Sequence, residues 1–327
     1  MEYILFRLRN LPHTPVQKYF LSNAASLDEE WYLLETHRAV LKMTSKPLSD
    51  AVLEPHSDID ATDAYGRTAV WWAAFLDDTE SVKTLLEHGA DPNIKDDVLG
   101  MNVFHCAAVT GQSFHTWEAL LKYGADVTAV SRRHQTILHL IMYRLGRSFV
   151  WGNGCHHELL RFMEHCLDLG HPLDLQDWLG DTILSKAVQN SSHHVVAFLL
   201  DRGVDYTISD NCGNGLLHSA ASKADATTMN VLAAHGLSRI DISLNNRCGQ
   251  TALDLFRSCK GGRTPEEIKA FYYMWNEVSS KARLPDLGES VPGIAVMPDG
   301  EEESATAEQQ EDRQVEDAIE LDNEADD

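Results

Sequence analysis

The sequence predicts an all-α repeat protein, a solenoid of about six two-helix units, on three observations. The first is a period. GRTAVWWAA (66–74), GMNVFHCAA (100–108), HQTILHLIM (134–142), GDTILSKAV (180–188), GNGLLHSAA (213–221) and GQTALDLFR (249–257) align, with their third residues 34, 34, 46, 33 and 36 apart. A fixed period of this length marks stacked supersecondary units that share one continuous core. The second observation is a companion block behind the first: VKTLLEHGADPNIKD (82–96), EALLKYGADVTAV (118–130), FMEHCLDLGHPLDLQD (162–177) and VAFLLDRGVDYTISD (196–210). VLAAHGLSRIDISL (231–244) is a weaker copy. The third is punctuation at both helix ends. Thr68, Thr136, Thr182 and Thr251 stand where a hydroxyl can cap the first turn. Gly89, Gly124, Gly170 and Gly203 follow the second helix, where a left-handed residue closes it.

The elements follow in chain order. HSDIDATDAYGRT (56–68) imitates the segment that ends a repeat, so a degenerate repeat or helical cap is expected in residues 1–56. Its helices would be SLDEEWYLLETHRAVLKM, with Ser26 and Glu29 as a capping box, and LSDAVLE. The repeat domain spans 57–283, with units near 63–96, 97–130, 131–176, 177–209, 210–244 and 245–283. Within each unit, small residues (Ala73, Ala107, Ala187, Ala220) allow close helix approach. Leu85-Leu86, Leu120-Leu121 and Leu199-Leu200 form the buried stripe of the second helix. The spacing of 46 marks an insertion near 144–157, RLGRSFVWGNGCHH. Gly146, Gly152 and Gly154 favour a loop, and Phe149 and Trp151 must pack or bind, as a functional loop or as a tolerated insertion. TPEE (264–267) opens a last helix with Pro265 at its first position, and Ile268, Phe271, Tyr272, Trp275 and Val278 recur at helical spacing, as in a closing cap.

Periodicity stops at Leu284. Residues 284–327 hold sixteen Asp or Glu against Arg313 alone, a charge of −15 out of −23 for the chain. Such a segment cannot bury enough apolar surface to offset its ordering entropy, so a disordered acidic tail is expected. The other 283 residues carry −8 and offer no net basic footprint, which argues against direct nucleic-acid binding. No stretch reaches the ~20 apolar residues of a membrane span, and the N-terminus lacks the order of a secretory signal. Six cysteines without framework spacing suit reduced thiols, hence a cytoplasmic or nuclear protein.

One stretch invites a catalytic reading. CHHELLRFMEHC (155–166) nearly reproduces the His-Glu-x-x-His helix of zinc proteases, but Arg161 stands where the second histidine belongs. With Gly170 aligned to Gly89, Cys166 falls on Leu85, a core position, and His165 points about 100° away from it. No metal, cofactor or catalytic residue is expected, and neither is an enzyme, with a metal-dependent enzyme as the remote alternative.

These blocks resemble the ankyrin repeat, whose pattern runs G-x-T-P-L-H-x-A-A, a Leu-Leu helix and then G-A-D-x-N. The resemblance covers roughly residues 57–280. Ile141 and Phe256 replace the small Ala, and the usual Pro is absent. It implies a non-enzymatic scaffold, expected as a monomer, that binds one or more proteins through a concave face of hairpin tips and first helices. The positions carried over are Tyr65, Arg67, Val98, Leu99, Met101, Arg132, Arg133, Trp178 and Leu179 on the tips, with Gln135 and Asp181 beside them. Phe75, Leu76, Val109, Tyr143, Arg144 and Gln189 end the first helices. Aromatic, aliphatic and Arg side chains of this kind make interface hot spots. Arg132, Arg133 and Arg144 form a basic island suited to an acidic or phosphorylated partner segment, to the chain's own tail, or only to solvent. The layout is also similar to the IκB inhibitors of transcription factors, without their N-terminal phosphorylation motif. It resembles as well the ankyrin-only proteins of filamentous fungi, some encoded beside secondary-metabolite genes, which implies an accessory role in biosynthesis.

Overall fold

In the computed structural model, residues 32–54, 58–110, 114–145, 156–259 and 262–282 are described. The acidic tail, Ser26 and Glu29 of the N-terminal capping box, and Phe149 and Trp151 of the insertion lie outside them. The described helices are α1 Glu35–Val40, α2 Leu48–Val52, α3 Ala69–Phe75, α4 Thr79–Glu87, α5 Val103–Thr110, α6 Phe114–Lys122 and α7 Ile137–Leu145. They continue as α8 His156–Asp168, α9 Ile183–Gln189, α10 His193–Asp201, α11 Leu216–Lys223, α12 Ala226–His235, α13 Ala252–Cys259 and α14 Pro265–Ala282.

The odd-numbered helices α1 to α13 form one layer, each packed on the next, and the even-numbered ones form the second. Close stacking of the first layer follows from its small side chains: Ala73, Ala107, Ala187 and Ala220 have no exposed surface. Ile141 and Phe256 are accommodated at the same register, buried like the alanines they replace. In the second layer Leu85, Leu120 and Leu199 are fully buried, and so is Cys166, at the corresponding place in α8. Burial pushes the Cys166 thiol up to about 12, which keeps it protonated and inert.

The caps are local chemistry. Thr68 and Thr182 accept from the backbone of Trp71 and Ser185. Gly89, Gly124, Gly170 and Gly203 all have positive φ after the second helix. Thr264 and Glu267 complete a reciprocal capping box at α14, with Thr264 N–H donating to Glu267 Oε2 at 2.9 Å and Glu267 N–H to Thr264 Oγ1 at 3.2 Å. Phe271 of α14 stacks on Phe256 at 3.7 Å between ring centroids, so the last helix covers the apolar end of the stack.

At the N-terminal side the structure corrects the expected long helix. Tyr32 has a positive φ and Leu34 is extended, so the helix starts at Glu35. Leu34 occupies the place of Thr68 in the next unit, and His37 takes over the capping: its Nδ1 accepts Leu34 N–H at 3.4 Å. The pair α1 and α2, packed on α3 and α4, is therefore a further unit that lacks the capping Thr.

Histidines tie successive units together. Nε2 of His37 lies 3.0 Å from Arg67 O, that of His139 3.2 Å from Asp181 O, and that of His218 3.0 Å from Gln250 O. Each acceptor is the residue just before the next unit's first-helix cap. Burial lowers the pKa of His37 and His139, which favours the neutral ring these bonds employ.

Candidate functional site: the row of hairpin tips

Between units the chain makes a tight hairpin, and one rule builds almost all of them. The first residue closes the loop with its own backbone, as in Asp63 N–H to Arg67 O at 2.9 Å and Asp177 N–H to Asp181 O at 2.9 Å. Its side chain then accepts the loop amides. Asp63 Oδ1 takes Tyr65 and Arg67 N–H, Asp177 Oδ1 takes Leu179 and Asp181 N–H, and Asp210 Oδ1 takes Cys212 and Asn214 N–H. A left-handed glycine completes each of these loops. At Gly180 (φ +81°) a Cβ would stand 2.5 Å from Asn211 N, so this turn needs both the dihedral and the space.

One backbone bond joins each tip to the next. Asp97 N–H donates to Tyr65 O at 2.8 Å, Arg132 N–H to Leu99 O at 2.8 Å and Trp178 N–H to Arg133 O at 3.0 Å. Asn211 N–H to Leu179 O at 2.9 Å and Arg247 N–H to Cys212 O at 2.8 Å continue the series. The side chains on these tips are thereby held in one row at a set pitch.

The carried-over positions divide sharply along that row. Trp178 and Leu179 are 51% and 43% exposed, and Tyr143, near the end of α7, is 47% exposed. Arg132 and Arg133 are exposed, and Tyr65, Val98, Leu99, Phe75, Val109 and Gln189 are half-buried. The Arg133 guanidinium lies 5.3 Å from the Trp178 ring, a cation–π contact between neighbouring tips. Arg144 belongs to α7, but its side chain falls outside the described residues.

Arg67, Leu76 and Met101 are corrected: all three are buried, at 2%, 6% and 9% exposure. Gln135 and Asp181 are buried as well. Arg67, Met101, Gln135 and Asp181 each stand just before a first-helix cap and turn inward, with a carbonyl that accepts the N–H closing the hairpin, while Leu76 closes the C-terminal end of α3 inside the core. Arg67 is the extreme case. Its guanidinium lies 4.8 to 5.3 Å from the rings of Trp71, Tyr65 and Trp72, and among the described residues Nε and Nη1 have no hydrogen-bond partner. Burial pulls its pKa down, opposed by Asp63 and Asp96. Aromatic faces substitute here for acceptors. The signal was present in the sequence as the adjacent Trp71-Trp72, four and five residues on.

Two cavities complete the surface. The outer helices α6 and α8 stand apart over a cleft of about 530 Å³, with Leu121 and Phe162 among acidic and His side chains. Phe162 packs 4.4 Å from the Trp117 ring at its base. A smaller cavity of about 120 Å³ lies beneath Gly215 and Leu244. Among the described residues no three His, Cys, Asp or Glu side chains are grouped to hold a metal, and no helix is long and apolar enough to cross a membrane. Cys155 lies outside the described residues, while His156 and His157 begin α8 instead of belonging to a loop.

The comparisons agree with this architecture. The family model described as ankyrin repeats, in three copies, matches residues 36–131. The ankyrin repeat domain of Bcl-3, described as a unique member of the IkappaB family, superposes with a TM-score of 0.54 at 22% identity, over 73% of this chain and 98% of that one. The human ASB11 ankyrin repeat domain superposes at 0.55 and 18% identity, over 74% and 98%. The chain is an ankyrin-repeat protein. Palmitoyltransferase AKR1 of Lachancea kluyveri is 39% identical over 75 residues, and that of Saccharomyces cerevisiae 41% over 69. These matches cover 23% and 21% of this ankyrin-repeat chain and only 10% and 9% of the transferases. The chain thus spans about a tenth of the curated relatives it matches.

Proposed function

We propose that this ankyrin-repeat chain is a non-enzymatic scaffold or adaptor that binds protein partners through the face made by its hairpin tips and first helices. The observation that carries the proposal is the exposed Trp178-Leu179 pair, held by backbone bonds beside Arg133 and accompanied by exposed Tyr143. Large apolar side chains presented on a rigid ladder match the anchors of protein interfaces, because little conformational freedom remains to be lost on binding. The palmitoyltransferase likeness supports no acyl-transfer chemistry here, since it spans about a tenth of those proteins.

A narrower second reading is an IκB-like regulator that sequesters a transcription factor in the cytoplasm or nucleus. The superposition on the Bcl-3 domain favours it at the level of fold. An accessory role in a biosynthetic pathway is the remaining alternative.

The test is affinity capture from native lysate with three forms of the full chain. These are the unaltered protein, Trp178→Ala/Leu179→Ala on the tips, and Glu158→Ala/Asp168→Ala on the outer cleft. A partner lost only with the tip variant supports the proposal. A partner lost only with the cleft variant moves binding to the outer helices and overturns it.

A further inference from the structure

Three consecutive hairpins place an apolar, a basic and an apolar pair side by side. Val98-Leu99, Arg132-Arg133 and Trp178-Leu179 are joined by the bonds from Arg132 N–H to Leu99 O and from Trp178 N–H to Arg133 O. We infer that this row binds an extended acidic segment of a partner protein, with two or more consecutive carboxylates flanked by apolar side chains. The inference rests on the protein-binding reading of the tip face and specifies the ligand that face takes.

Charge is the first argument. Outside its tail the chain carries −8, yet neither Arg132 nor Arg133 forms an ion pair among the described residues. Some cations have carboxylate partners, as Arg38 with Glu35, Arg202 with Glu164, Arg263 with Glu267, and Lys186 with Asp177 and Asp181. Lys83, Arg161, Arg247 and Lys269 form no ion pair among the described residues; what sets Arg132 and Arg133 apart is that they are adjacent, on one tip. Arg132 reaches only the Val98 carbonyl, at 3.4 Å, and Arg133 only the face of Trp178. Both guanidinium forks therefore retain donors directed at solvent, and adjacent carboxylates are the groups that fill such forks.

The flanks are the second argument. Trp178 and Leu179 leave about half of their surface in water on one side, and Val98-Leu99 are half-buried on the other. A purely ionic ligand would leave both pairs wet, whereas apolar side chains on either side of the acids would cover them. A nucleic acid fits poorly. Its phosphates need a basic track longer than two adjacent arginines.

The third argument is local. Among the hairpins described in full, the middle one has a non-glycine residue, His134, at the left-handed position (φ +53°), as Tyr32 has at the corresponding place ahead of α1, and Ser131 replaces the Asp or Asn of the others. It departs from the turn rule where it presents its two arginines, and sequences break their own local rules mainly at functional sites.

The experiment is selection from a random twelve-residue peptide library displayed on phage, against the full chain. Counter-selection uses full-length Arg132→Gln/Arg133→Gln, and a second arm uses Trp178→Ala. These residues are exposed, so both variants are expected to fold, which circular dichroism confirms. The expected result is enrichment of peptides with consecutive Asp or Glu between apolar residues. As synthetic peptides these should bind at least tenfold more weakly to either variant and lose affinity as salt rises. Enrichment of basic or uncharged sequences, equal binding to the arginine variant, equal binding of an oligo-glutamate or a DNA oligonucleotide, or no enrichment overturns the inference. None of those outcomes touches the lysate test, so partner capture through Trp178-Leu179 stands or falls separately.

Discussion

Two neighbouring hairpins, Ser131–Gln135 and Asp177–Asp181, do the same job with different chemistry. In the second, a buried carboxylate collects two amides at 2.9 and 3.1 Å and a glycine takes the left-handed residue. In the first, a hydroxyl collects Arg133 and Gln135 N–H at 3.3 and 3.2 Å, and His134 takes the left-handed residue. A single backbone bond, Trp178 N–H to Arg133 O, links them. The difference teaches that the stacked core tolerates a weakened turn on one unit, because neighbouring units hold it in place. The weakened turn is the one that carries the unpaired arginines.

The largest expected effect reaches the joints below both tips. His105 and His171 are buried with pKa values lowered by burial to about 4, and His139, which supports the second tip through Asp181, is lowered for the same reason. The unfolded chain protonates first, near 6.5, so stability is complete above that pH and is lost as pH falls from 6.5 to about 4. At 1.36 kcal/mol per unit, each of His105 and His171 accounts for roughly 3 kcal/mol over that window. Urea unfolding at pH 7.5, 6, 5 and 4.5 would read this. His171→Ala sharpens it. His171 is buried with neither ring nitrogen hydrogen-bonded among the described residues, at the place where other units have Ala90 and Ala125. The variant should flatten the profile, and an unchanged slope would exclude His171 as a contributor.

Next comes glycine. Gly180→Ala meets both a left-handed dihedral and a 2.5 Å approach to Asn211 N, and should cost about 3 kcal/mol. His134→Ala in the first hairpin should change stability by less than about 0.5 kcal/mol, since that site already carries a side chain. Equal losses would show that the two turns obey one rule after all. The acceptors follow. Asp177→Ala removes two amide bonds and the pairing with Lys186, an expected loss of about 2 kcal/mol, and Ser131→Ala about half of that.

What the sequence revealed and what it hid separate along physical lines. Caps, left-handed glycines and the Leu stripe are set by contacts within one unit, so Thr68, Gly89, Leu85 and Thr264 could be placed by reading a few residues. Cys166 was placed by register alone, because a period transfers burial from one unit to another. Exposure at the tips could not be read that way. Arg67 and Met101 lie a few residues from exposed neighbours, but what covers them comes from first-helix rings and from stacking on the adjacent unit. Arg67 also defies composition, since a guanidinium is ordinarily kept wet. The histidine bridges escaped for the same reason: His139 is one letter in a pattern, and its acceptor, Asp181, is 42 residues on.

The smallest expected effect bears most directly on why the two hairpins differ. A non-glycine residue in the left-handed region costs about 1 kcal/mol, so His134→Gly should stabilise the chain, offset in part by the added freedom of the unfolded backbone. A net gain of about 0.5 kcal/mol is expected, as a small rise in the urea midpoint at unchanged slope. Arg132 and Arg133 remain in place in this variant, so acidic-peptide binding should persist. If it weakens with greater flexibility of the loop, His134 is retained because it stiffens the arginine pair. If the urea midpoint falls, the imidazole makes a stabilising contribution that outweighs the strain, and the turn is not weakened at that position.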